Sequence, residues 1–97
     1  MIKKELQVMN PEGLHGRPVN YLNTCSGCFK SSIWIEHHER RVNAKSLMGV
    51  LSLGVMQCER IVLIADGPDE NLAVEQIGKL IKSGFMDEDL IDEIMGR

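Results

Sequence analysis

A chain of 97 residues, 43% hydrophobic and 26% charged, suits one compact domain with a modest core and argues against disorder. Its net charge of −3 excludes a general nucleic-acid-binding surface, which needs clustered Lys and Arg. No run is apolar enough to enter or span a bilayer, MIKKELQVMN lacks the apolar stretch of a secretory signal, and three cysteines without export fit reduced thiols and a cytoplasmic location.

In residues 2–8, Ile2, Lys4, Leu6 and Val8 share one face and Lys3, Glu5 and Gln7 the other, so a half-buried strand is expected. NPEG (10–13) is turn chemistry, and Pro18 suits the first turn of a helix, where a missing N–H costs nothing. Val19, Leu22, Ser26 and Phe29 recur at helical spacing, and Gly27 weakens that helix's end. Ser32 to Glu36 alternates, with Ile33 and Ile35 inward and Trp34 outward, and the polar stretch from His37 to Arg40 turns the chain into a short strand through Val42. Ser46 is the expected N-cap of a two-turn helix that ends near Gly54. Ile61 to Ala65 reads as the last strand. Asp69 is the expected cap of a longer amphipathic helix through Ala73, Val74, Ile77, Leu80 and Ile81, closed by Gly84. The order β-α-β-β-α-β-α predicts an α+β sheet with helices on one face.

GLHGRP (13–18) places His15 and Arg17 where a loop becomes a helix. Two readings stand: solvated loop residues, or an anion site. The first amides of a helix lack partners and carry partial positive charge, which favours a bound phosphate. Arg17 adds a guanidinium that grips two oxygens of one phosphate, and Gly16 lets the backbone approach. The helix end and Arg17 both disfavour a second positive charge, so a neutral, nucleophilic His15 ring is expected.

GLHGRP, VNAKSLMGVLSLG (42–54) and KSGF (82–85), at these separations, resemble the HPr family, histidine-containing phosphocarriers of the sugar phosphotransferase system. The likeness runs from residue 1 to about residue 86. It implies an open-faced β-sandwich, a four-stranded antiparallel sheet with three helices on one face, in a domain spanning residues 1–87. It implies that His15 takes a phosphoryl group from enzyme I and passes it to enzyme IIA domains of sugar permeases, with Arg17 stabilising the group. Ser46 matches a serine modified by an HPr kinase/phosphorylase, whose phosphorylated form binds a catabolite-control transcription factor. A regulatory relative acting mainly through phospho-Ser46 is the alternative, although such relatives lack the histidine. The chain is then a covalent carrier without turnover of its own, with no cofactor and no metal. The expected partner surface is Gly16, Asn20 and Thr24 with Leu47, Met48 and Leu51, apolar residues that either form a docking patch or all belong to the core.

Positions 16 and 20 are commonly alanine or threonine, and alanine, in the family; here Gly16 is expected to loosen the helix start. Cys25 and Cys28 form a C-x-x-C near a helix C-terminus, where the dipole raises thiol pKa. Incidental thiols are the favoured reading over a redox pair, and a metal site would need two more ligands, with the hairpin histidines His37 and His38 not obviously in reach. Cys58 reads as a packing residue. Val62 and Ile64 fall with Trp34 on the open face of the sheet, an apolar face that asks for a cover. In the extension 88–97, Leu90, Ile91, Ile94 and Met95 are at helical spacing among acids. It is expected to form a turn or two docked on that open face or on a neighbouring molecule, or else to be acidic and disordered.

Overall fold

The structure, a computed structural model, describes residues 1–96. In chain order it comprises β1 (Ile2–Gln7), α1 (Gly16–Ser26), β2 (Ser32–His37), β3 (Arg40–Asn43), α2 (Leu47–Leu51), β4 (Arg60–Asp66), α3 (Glu70–Lys82) and α4 (Glu88–Met95). The strands form one antiparallel sheet in the order β1-β4-β2-β3. Leu6 lies opposite Ile61 and Ile35 opposite Leu63, so the inward residues of three strands stack in rows. Helices α1 and α3 cover those rows, and Leu22, Ile33, Leu63, Ile77 and Leu80 are essentially excluded from water. This is the expected open-faced α+β sandwich. No described helix is long and apolar enough to cross a membrane.

The open face needs no covering element. Ile64 lies outside the helix-side core yet is fully buried. Its cross-strand neighbours are Lys3 on β1 and the half-buried Trp34 on β2, whose long side chains flank it.

The tail differs from expectation in where it goes. Residues 88–95 do form a helix, but α4 packs on α1 and α3, in the helical layer, and leaves the open face bare. Leu90, Ile91 and Ile94 are buried there and Met95 packs against the core. Two local features start α4: the Asp87 carboxylate accepts the Leu90 N–H at 3.1 Å, and Glu88 and Asp89 put negative charge on the positive end of the helix. The turn that leads there closes α3 with paired bonds, Phe85 N–H to Leu80 O and Gly84 N–H to Ile81 O, and buries Phe85.

Asp69 does not cap α3 with its side chain. Its carboxylate instead reaches the loop before β2, accepting the Ser31 hydroxyl and the Lys30 and Ser31 amides, the latter two at 2.9 Å. A tie across 38 residues wins over the local cap because it satisfies several donors of one loop at once. The Ser31 hydroxyl foremost, and then the Lys30 amide, lower the carboxyl from an ordinary 3.8 to about 2, against an opposing effect of burial. A depressed carboxyl stabilises the fold above its unfolded pKa and loses that contribution as pH falls through the folded one. Asp69→Asn is therefore expected to lower Tm at neutral pH and to flatten the wild-type loss of stability between about pH 4 and pH 2. Denaturation curves across that window check it; an acid limb as steep as the wild type's would remove Asp69 from the account.

Candidate phosphoacceptor site

The segment between β1 and α1 is tightly stitched. Asn10 is buried; its side-chain amide donates to Gly13 O at 2.8 Å, while Gly13 N–H donates back to Asn10 O at 3.1 Å. Leu14 is fully buried, and its N–H donates to Val55 O at 3.0 Å. Gly13 has φ +66°, and a Cβ there would lie 2.3 Å from Val55 O and 2.8 Å from Met56 Cα. No side chain fits between these two strands of loop, which accounts for the glycine.

His15 follows this anchor with extended backbone, at the N-cap of α1. Its ring makes no capping hydrogen bond and is half-buried, so it stands in front of the helix without a structural duty. Gly16 then turns the chain with φ +58°. In that left-handed conformation glycine is the unstrained residue, so Gly16 relieves this corner rather than loosening it. Nothing lies within 4 Å of a Cβ built there, so a side chain would meet backbone strain but no obstacle. The Gly16 and Arg17 amides lie in the first turn, where helix geometry gives no internal acceptor, and Pro18 has no N–H to satisfy. No acid sits in that turn to neutralise its positive end.

Arg17 is exposed and makes no ion pair among the described residues. It borders an open cleft with Glu12, Tyr21, Phe85, Met86 and Glu88. The two carboxylates and the contribution of α4 to this cleft are not evident from the motif, because they come from a loop and from a helix over 70 residues away.

Gly16, Asn20 and Thr24 are exposed at spacings of four along α1, one solvent-facing stripe. α2 packs against α1, and on it Leu47 is 37% and Met48 76% exposed, whereas Leu51 turns inward against the core. Ser46 is an exposed N-cap, its hydroxyl accepting the Gly49 N–H at 3.1 Å. Cys25 is buried in the core, while Cys28 lies exposed past the end of α1, so the two do not form an accessible pair. Cys58 is exposed, with φ +71°, in the turn that leads into β4; it is not a packing residue.

The chain is similar to several known proteins. The family model for the phosphorylation site of the PTS HPr component matches residues 2–83. The phosphocarrier protein HPr of Neisseria meningitidis is 35% identical over 85 residues, 88% of this chain and 96% of that protein. The crystal structure of HPr from Thermoanaerobacter tengcongensis superposes with a TM-score of 0.86 at 40% identity, over 88% of this chain and 96% of that one. Crh, the Bacillus subtilis catabolite repression protein crystallised as a swapped dimer, gives a TM-score of 0.70 at 32% identity, over 87% and 97% of the two chains.

Proposed function

The chain belongs to the HPr family of phosphocarrier proteins of the phosphotransferase system, and from that membership we propose that His15 is the residue that carries the phosphoryl group, taken from enzyme I and delivered to enzyme IIA domains of sugar permeases. The observation that carries this reading is the position of His15: an imidazole with no capping role, at the mouth of a helix whose first amides and Arg17 are uncommitted. A ring nitrogen lone pair attacks the donor's phosphorus, the new P–N bond forms as the donor's bond to phosphorus breaks, and the donor leaves with that electron pair. The amides of Gly16 and Arg17 and the Arg17 guanidinium hold the phosphoryl oxygens. In the acceptor complex the same steps run outward: an acceptor lone pair attacks phosphorus, the P–N bond breaks, and the ring nitrogen keeps that electron pair. The chain supplies position and charge, and the turnover belongs to its partners.

The stripe Gly16, Asn20 and Thr24 with Leu47 and Met48 is the surface these partners dock on. An exposed apolar pair beside a polar stripe fits a transient interface. Ser46 is the regulatory serine, the target of an HPr kinase/phosphorylase where that enzyme is present. A phosphate there adds a charge of about −2 and sits at the start of α2, where negative charge is tolerated. The same charge faces a docking partner and opposes an acidic one. A mainly regulatory role, through phospho-Ser46 and a catabolite-control transcription factor, is the second reading. The likeness to Crh supports it, but not more strongly than the likeness to the phosphocarriers, and His15 would be idle in it.

Phosphoenolpyruvate and enzyme I should label the wild-type chain with one acid-labile phosphate, transferable to an enzyme IIA domain; absence of transfer would leave the regulatory reading. Ser46→Asp should lower kcat/KM for enzyme I about tenfold, or about 1.4 kcal/mol of docking energy. Its Tm should hold, since aspartate is as good an N-cap as serine. A rate equal to wild type would detach Ser46 from the docking surface.

A further inference from the structure

His37, His38 and Glu59 come together at the hairpin between β2 and β3. His37 Nε2 lies 3.2 Å and His38 Nε2 3.4 Å from the same oxygen, Glu59 Oε2. The three ligand-type atoms are within 4.8 Å of one another. Successive strand residues point to opposite faces, so two adjacent histidines would ordinarily diverge. Here His37 ends β2 and His38 begins a two-residue turn, with φ of +50° at His38 and +66° at Glu39. That turn folds His38 back until the ring centroids are 3.9 Å apart. Such a turn ordinarily takes Asn or Gly at these positions. This chain uses a histidine and a glutamate, and the histidine ring is thereby aimed at Glu59.

The neighbouring arginines are otherwise engaged. Arg60 pairs with Glu5, Arg41 with Glu36, and Arg40 bonds Ser52. Glu59 is fixed from its other oxygen, which accepts the Met56 N–H at 2.7 Å. His37 is buried, whereas His38 is mostly exposed, so one side of the cluster opens to solvent.

We propose that His37 Nε2, His38 Nε2 and Glu59 Oε2 form a zinc site, with water in the fourth position. Tetrahedral zinc with ligand bonds of about 2.0–2.1 Å sets its ligand atoms about 3.3 Å apart. The two observed nitrogen–oxygen separations already have that length. Two imidazoles and one carboxylate are a donor set zinc favours, and the open fourth position is on the solvent side. Coordination uses the Nε2 lone pairs, so any hydrogen these nitrogens present to Glu59 passes to Nδ1 or to water. Glu59 is held in place in advance by Met56, as an oriented carboxylate ligand should be.

The chain has three histidines, so the imidazole region of an NMR spectrum separates this site from His15. Zn2+ is titrated into the full chain carrying Cys28→Ser and Cys58→Ser, which removes the exposed thiols as competitors. One equivalent should shift the His37 and His38 ring signals, leave His15 in place and raise Tm. His38→Gln should weaken binding at least tenfold while keeping the fold, because that side chain is 73% exposed. Glu59→Gln, which keeps an acceptor for Met56, should do the same. No zinc-dependent shift, a shift confined to His15, or wild-type affinity in His38→Gln would each overturn the site.

Discussion

The His15→Ala chain is expected to take no acid-labile phosphate from enzyme I, a loss of at least a thousandfold, and to fold as well as the wild type. Both halves follow from the same geometry. The ring caps nothing and is half-buried, so removing it strands no donor and opens no cavity in the core. Surface substitutions of that kind change stability by about 0.5 kcal/mol or less. The proposed acceptor atom itself disappears, and no neighbouring imidazole replaces it. The other two imidazoles, His37 and His38, are both directed at Glu59. Radiolabel that is lost in acid, together with matched denaturation curves, checks the pair of claims. Persistent label in this variant would refute His15 as the carrier; lost label with a collapsed Tm would show that the ring has a structural duty the geometry does not reveal.

Gly13→Ala is expected to be the most destabilising small change near the site, costing about 3 kcal/mol or more of a total of roughly 5–15. Left-handed backbone accounts for about 1 kcal/mol of that for any residue with a Cβ. The remainder comes from the 2.3 Å approach to Val55 O, which no side-chain rotation relieves because the obstacle is backbone. The loop must move away from residues 55 and 56, and the Leu14–Val55 hydrogen bond that positions His15 goes with it. Gly16→Ala is the matched control. Its φ is similar, but its surroundings are empty, so it should lose only about 1 kcal/mol. Urea denaturation of the two variants measures the difference. Equal losses would mean that strain, not close approach, dictates the glycine at 13.

Much of the site was legible because it is linear in sequence. His15, Arg17 and Pro18 mark the loop-to-helix step within four residues, and Ser46 marks its helix from one position before it. The sheet and its two large helices follow from periodicity, and so does the existence of α4, since Leu90, Ile91 and Ile94 make an apolar stripe by themselves. Its destination was not legible. Ile64 on the open face looked in need of a cover, but cross-strand neighbours shield it, while the helical layer had room beside α1 and α3. Asp69 shows the same limit: a local cap is visible in sequence, a competing tie to Ser31 is not. Gly16 could be read from composition as a weak helix start, and only its φ turns it into the unstrained choice. His37, His38 and Glu59 meet through a strand register and a reversed turn, neither of which leaves a mark in the order of the residues.

The pairing of β1 with β4 has a consequence in time. The first strand has no other neighbour in the sheet, and its partner ends at Asp66. During synthesis β1 must therefore wait, unpaired, until some sixty further residues have been made. The bond from Leu14 to Val55 waits with it. The helix-starting motif can form early from local preference, but the loop that presents His15 closes only when distant segments meet, a slow kind of contact. A chain cut short before β4 would therefore carry the His15 motif without the distant contacts that fix its place.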